Sequence, residues 1–206
     1  MFTKEDLQQI EQHGLTQAQV EQQIDNFCKG FPYLKIVRAA AAGDGVLVMS
    51  DEQIAQAEAR YDEAASTSKI VKFVPASGAA TRMFKELFEY VNDDKRTPGI
   101  DRLLDNIEKF AFAEVLGEKV ALDAPLRDVV KTIVGEGLEY GAKPKGLLLF
   151  HKYPTGARTP FEEHLAEGAM YAASDGEVNI HFTVSPEHVE GFSSLFDSVK
   201  DTYEKR

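Results

Sequence analysis

The sequence predicts an α/β domain built on a mostly parallel sheet, and three observations carry that expectation. From residue 69 onward short apolar runs alternate with amphipathic helical stretches, the pattern of strands covered by crossover helices. Helix starts are written as capping boxes at Thr16–Gln19, Ser50–Gln53 and Thr159–Glu162. Hydrophobic residues make up 43% of the chain, enough for a core that needs neither disulfides nor metals.

In chain order, Thr16 opens the first helix with Leu15 and Val20 as a hydrophobic staple, and Gly30 and Pro32 stop it. Residues 34–49 read as two short extended segments, around Ile36 and Val46–Val48, joined through Gly43 and Gly45. Ser50 opens a helix with Ile54, Ala57 and Tyr61 on one side. Ile70–Val74 is the first sheet strand. Thr81 is placed to cap a helix whose Met83, Phe84, Leu87, Phe88 and Val91 form one apolar stripe. After a loop at Asn92–Gly99, helices are expected over Ile100–Leu116 and Pro125–Tyr140, the latter with proline in its first position. Gly146–Phe150 is a second strand, Thr159 and Pro160 begin a helix, and Asn179–Val184 is a third strand. Ser185 and Pro186 begin a last helix carrying Val189, Phe192, Leu195, Phe196 and Val199.

This divides the chain into a helical N-terminal segment, 1–68, and an α/β domain, 69–206, with a helical insertion at about 99–140. Three strands fall short of the roughly 4–6 usual in a sheet, and the last helix would ordinarily feed another strand. The sheet is therefore expected to be incomplete, with an unpaired edge or exposed apolar surface near Asn179–Val184 that invites partners.

The net charge of −11 argues against nucleic acid or anionic membrane as a partner. Ala64–Lys85 contains no acid and carries +4, from Lys69, Lys72, Arg82 and Lys85. Tyr140–Phe161 likewise carries +4, from Lys143, Lys145, Lys152 and Arg158. Two basic islands in an acidic chain point to a small-anion site, or to charges patterned on solvated faces. The opening MFTKEDLQQI has no signal-peptide pattern, and no apolar run approaches the roughly 18–20 residues that span a bilayer, so a cytoplasmic location is expected. The single cysteine, Cys28, excludes an intrachain disulfide or a cysteine zinc cluster. Its place on a helix's apolar stripe marks it as a small core residue.

In open parallel sheets ligands bind at the carboxyl ends of the strands. Pro75-Ala-Ser-Gly-Ala-Ala-Thr-Arg82 follows the first strand. Gly78 among small residues lets a ligand approach the backbone. Free N–H groups at the next helix start favour an anion, and Arg82 adds a fork of donors suited to phosphate. The same residues also make an ordinary tight turn with Arg82 in solvent.

Phe73-Val-Pro-Ala-Ser-Gly-Ala-Ala-Thr-Arg-Met83 resembles the opening motif of sugar-1-phosphate nucleotidyltransferases, a hydrophobic strand followed by LAxGxGTRM. Lys143-Pro-Lys145, Gly146–Phe150, the Thr159 helix and the strand before Ser185-Pro186 keep that family's order, so the likeness covers about residues 70–190. The combination also looks like an uncharacterised bacterial family of longer cytoplasmic proteins with this fold. The resemblance implies a three-layer α/β/α, Rossmann-like domain of nucleotide-diphospho-sugar transferase type. It implies a nucleoside triphosphate and a sugar phosphate as ligands, joined with release of pyrophosphate. Ser77, Gly78, Ala79, Ala80, Thr81 and Arg82 would hold the phosphates, with Arg82 and Lys145 as the catalytic cations. Mg²⁺ is implied as cofactor, but the family's metal-binding aspartate has no counterpart before Arg206. That departure implies part of a longer chain, or a homo-oligomer, and leaves a non-catalytic nucleotide or sugar-phosphate binding module as the alternative. Two further departures are Ala80, where the motif has glycine, and the 63 residues from Arg82 to Lys145. If Lys145 is the family's lysine, the intervening helices must return the chain to the Gly78 loop and merge the two islands.

The remaining candidates are weaker. His151 and Lys152, at a strand end in the second island, are placed for an auxiliary phosphate contact. His151, His164 and His181 lie on separate elements without metal-ligand spacing, and His164 reads as a packed or hydrogen-bonded histidine. Glu162 is explained by the capping box and Glu163 by a solvated face. The chain has neither a Gly-Lys-Ser/Thr triplet nor a GxSxG elbow.

Overall fold

A computed structural model describes residues 2–204. It is a mixed α/β structure, about 52% helical with small sheets, and it divides into two units, Met1–Ile54 and Ala55–Arg206.

The first unit opens with α1 (Lys4–Gln12), capped by Thr3 and Asp6, and α2 (Gln17–Lys29), capped by Thr16 and Gln19 as the sequence predicts. α2 ends at Gly30, whose φ of +74° suits glycine. No residue of α2 is buried, and Cys28 is exposed rather than in a core. α2 packs chiefly on the short α1, so its apolar stripe has too little partner surface; Phe27 remains 87% exposed. The two expected extended segments reduce to β1 (Ala41–Ala42) and β2 (Gly45–Val46), and no strand forms around Ile36. Ser50 and Gln53 exchange bonds of 2.9 and 3.3 Å and open α3 (Asp51–Ala65), inside which the two units divide.

The second unit contains a three-stranded sheet. β3 (Val71–Pro75) runs parallel to β7 (Glu177–Thr183). β6 (Ala173–Ser174) pairs antiparallel with β7 over Val178 and Glu177 only. Over Asn179–Thr183, β7 therefore has no strand on its second edge, and β3 is an open edge that ends in a proline. α8 (Pro160–Tyr171) covers one face, and α9 (Val189–Glu204) packs on α8. Phe161 of α8 lies 4.6 Å from the Phe182 ring and 5.5 Å from that of Phe192. Gly168 brings α8 close to the sheet, since a Cβ there would lie 2.6 Å from Ile180 Cδ1. The opposite face carries exposed Val71 and Phe73, with Phe73 stacked 5.1 Å from His181. The sheet is thus covered on one face, not in the expected three layers.

The main core is helical. α4 (Lys85–Asp93), α5 (Pro98–Asp105), α6 (Ala113–Gly117) and α7 (Leu126–Val134) pack around fully buried Ile100, Leu116, Val129, Val130, Ile133 and Leu148. Phe112 and Tyr140 meet edge to face at 5.4 Å. The region expected as an insertion is therefore the best-packed part of the unit. Its helices are shorter than predicted: Asn106 and a 3₁₀ turn at Ile107–Lys109 break the Ile100–Leu116 stretch.

Two more expectations are corrected. Thr81 caps no helix: Met83 N–H donates to the Ala80 carbonyl at 2.8 Å, a turn anchored by fully buried Ala80, and α4 begins at Lys85 without a side-chain cap. Gly146–Phe150 is no strand. Lys145–Leu147 is a 3₁₀ turn, Leu148 inserts into the helical core, and Leu149 N–H donates to the Tyr140 hydroxyl at 3.2 Å instead of to a neighbouring strand. The chain then forms a hairpin of β4 (His151–Tyr153) and β5 (Gly156–Arg158).

The start of α8 matches its sequence signature. Glu162 N–H donates to Thr159 Oγ1 at 3.2 Å, and Thr159 N–H to Glu162 Oε2 at 2.8 Å, with Thr159 buried. Thr159→Ala is expected to destabilise the protein by about 0.5–2 kcal/mol, read as a lower urea midpoint at unchanged m-value.

Candidate functional site

The carboxyl ends of the two parallel strands lie side by side, with Ala76 N–H donating to the Thr183 carbonyl at 2.8 Å. Beyond Pro75 the chain turns out through Ser77, Gly78 and Ala79, all exposed. The second basic island reaches this turn through the backbone. Lys145 N–H donates to the Gly78 carbonyl at 3.0 Å, and Ala79 bridges to fully buried Pro144. Between the turn and α8 lies a cleft of about 160 Å³, lined by Val74, Pro75, Gly78, Lys145, Phe161 and His164 among others. A Cβ added at Gly78 would meet no atom within 4 Å, so glycine here keeps the turn open instead of relieving a clash.

Pairing separates the cations of the two islands. Lys72 is paired with Glu167, Lys85 with Glu89, Lys143 with Glu139 and Arg158 with Glu163. Lys152 donates to the Glu108 carbonyl at 2.8 Å. Among the described residues Lys69, Arg82 and Lys145 are exposed and have no such partner. An unpaired cation is free to take a ligand, whereas a paired one must first lose a bond.

Of the residues predicted to form the site, Gly78 and Lys145 meet in the cleft, and Ser77 and Ala79 flank it on the exposed turn. Ala80 faces the core with no exposed surface. Thr81 lies on the turn before α4, which separates the α4 N-terminus from Gly78 and removes the helix start from the expected cradle. Arg82 lines a different, larger cavity of about 550 Å³ with Met83, Leu103, Phe110 and Phe150 among its walls. His151 and Lys152 sit on the β4–β5 hairpin and line neither cavity.

The sequence reading passes over a polar network on α8. His164 Nδ1 lies 3.0 Å from Glu167 Oε2, and the same carboxylate oxygen accepts from Lys72 Nζ and, at 3.1 Å, from the Tyr171 hydroxyl. Lys72 Nζ also lies 4.7 Å from the centre of the Tyr171 ring. The Lys72 hydrogen bond, supported by His164 and Tyr171, outweighs burial and holds the Glu167 carboxyl down at about 2. Burial pulls Lys72 down, but its bonds to Glu167 and Tyr171 prevail and raise it. The signal was available as a histidine and a glutamate three residues apart on one helix. Glu163, expected on a solvated face, is instead largely buried, with Arg158 at 3.7 Å.

The implied Mg²⁺ finds little to hold it. Glu167 is occupied by Lys72, and among the described residues no three His, Cys, Asp or Glu gather as a metal site. The donor set does not fit the ion. Among the described residues no helix is long and apolar enough to cross a membrane.

Residues 3–206 match a family described as a domain of unknown function (DUF4301). No curated protein and no solved structure matches.

The Glu167 network has a pH signature. A carboxyl lowered from 4.5 to about 2 by folding contributes stability that is fully present above pH 4.5 and lost as pH falls towards 2. Thermal melts between pH 5 and 2 should show a shallower acid loss in Glu167→Gln than in the wild type. Parallel curves would mean that the pair contributes nothing net.

Proposed function

We propose that this chain, which belongs to the DUF4301 family, binds the phosphate end of a sugar phosphate or nucleotide in the cleft between Gly78 and α8. The observation that carries this reading is the Lys145 N–H bond to the Gly78 carbonyl. It brings exposed Lys145, which has no carboxylate partner, to an open glycine turn at the carboxyl ends of two parallel strands. In a chain of net charge −11, a single unpaired lysine at the cleft favours a small anion over any extended polyanion.

The resemblance to sugar-1-phosphate nucleotidyltransferases supplies the reaction for this site. A sugar-1-phosphate oxygen attacks the α-phosphorus of a nucleoside triphosphate, the bond to the β-phosphate oxygen breaks, and pyrophosphate leaves with its electron pair. Lys145 would neutralise phosphate charge in the cleft. Arg82 would serve the triphosphate only if that ligand reaches from the cleft to the larger cavity. A second reading, a binding module without turnover, is favoured by one observation: the cleft offers no unpaired carboxylate for a metal ion.

Calorimetric titration with inorganic phosphate and with a nucleoside triphosphate tests the site. Lys145→Ala should weaken both by about 10–150-fold, the worth of a charge-assisted contact. Arg82→Ala should weaken the triphosphate alone. Equal affinities in wild type and Lys145→Ala would end the phosphate reading. Pyrophosphate release in the presence of a sugar 1-phosphate separates transferase from binding module.

A further inference from the structure

We propose that His164 accepts a ligand hydroxyl in the cleft, so that the site recognises a polyol phosphate monoester with its phosphate on Lys145 and a neighbouring hydroxyl on His164 Nε2. The inference rests on the phosphate reading above and names the chemistry that accompanies the phosphate.

The tautomer of His164 is set by its partner. An ionised carboxylate only accepts hydrogen bonds, and Glu167 Oε2 stands 3.0 Å from His164 Nδ1. Lys72 keeps Glu167 in its ionised form. Nδ1 therefore carries a proton, and in its neutral form the ring presents Nε2 as a lone pair. No other described residue bonds His164 through its ring. Around it stand Glu167 on its own helix, Lys72 from β3, whose Nζ lies 3.5 Å from the His164 carbonyl, and the Phe182 ring of β7 at 6.3 Å. The last polar element of the cleft is Lys145. A lone pair repels a phosphate oxygen, which is itself an acceptor, and welcomes a hydroxyl. The cleft thus offers one cation for phosphate and one acceptor for a hydroxyl, against an apolar wall of Pro75, Pro160 and Phe161.

Size sets how much of a ligand enters. A volume of about 160 Å³ corresponds to roughly five waters at ~30 Å³ each, and falls below the ~300 Å³ at which sites hold a whole drug-sized molecule. A phosphate with the nearest carbons and hydroxyls of a sugar fits; a whole nucleotide does not. The polar pair of Lys145 and His164 then selects the sugar-phosphate end as the part of the ligand read here.

The test compares glucose 1-phosphate with inorganic phosphate by calorimetry on the full chain. Wild type should prefer the sugar phosphate, and His164→Leu should lose that preference by roughly 3–10-fold while binding inorganic phosphate unchanged. His164→Gln, which restores an acceptor, should recover most of the preference. In ¹⁵N spectra of the wild type, the His164 Nε2 resonance should move with glucose 1-phosphate and stay in place with inorganic phosphate. If His164→Leu leaves the preference intact, or weakens both ligands equally, the hydroxyl role is overturned and the phosphate site stands. If wild type binds neither ligand, both readings fall together.

Discussion

One return of the chain decides the architecture around the cleft. Between the turn after β3 and Lys145 lie α4 to α7, and the segment comes back within a 3.0 Å hydrogen bond of Gly78. That return depends on burial at both sides of Lys145. Pro144 and Leu148 are fully buried, which leaves the intervening 3₁₀ turn little choice of position. Lys145 is held at the cleft by its backbone, while its side chain has no protein partner. The backbone position of this turn is thus set by core packing.

The division of charge follows the same logic. An acidic chain could neutralise all of its lysines and arginines, and most of those in the two islands are in fact paired or bonded to carbonyls. Each such pair near the surface contributes little to stability, and its effect is chiefly to fix side-chain position. Lys72 is the clearest case: its ammonium orders Glu167, Tyr171 and, through Glu167, the imidazole of His164. The cations left over acquire meaning because their neighbours have been used.

Elements whose signal is local were legible in the sequence. The capping boxes at Thr16, Ser50 and Thr159 depend on bonds within four residues, and all three form. β3 and β7 were visible as apolar or alternating runs because one face of each is covered. Gly146–Phe150 misled because an apolar run reads alike in a strand and in a buried extended segment; only the Tyr140 hydroxyl and the helical core reveal which it is. Cys28 misled because an apolar stripe shows what a helix could bury, not whether a partner surface exists. Of the site, Gly78 and Lys145 were legible through motif and charge. The His164–Glu167 pair stands out only beside Lys72, distant in sequence and brought close by β3.

The proline that ends β3 has a consequence for the open edge of the sheet. Ala76 N–H points to β7, and side alternation along the strand then turns the amides of Val71 and Phe73 outward. The next outward position is Pro75, which has no N–H to give. A strand added along this edge would find its hydrogen-bond ladder cut off one step before the glycine turn. The proline thus insulates the mouth of the cleft from any strand that pairs along this edge.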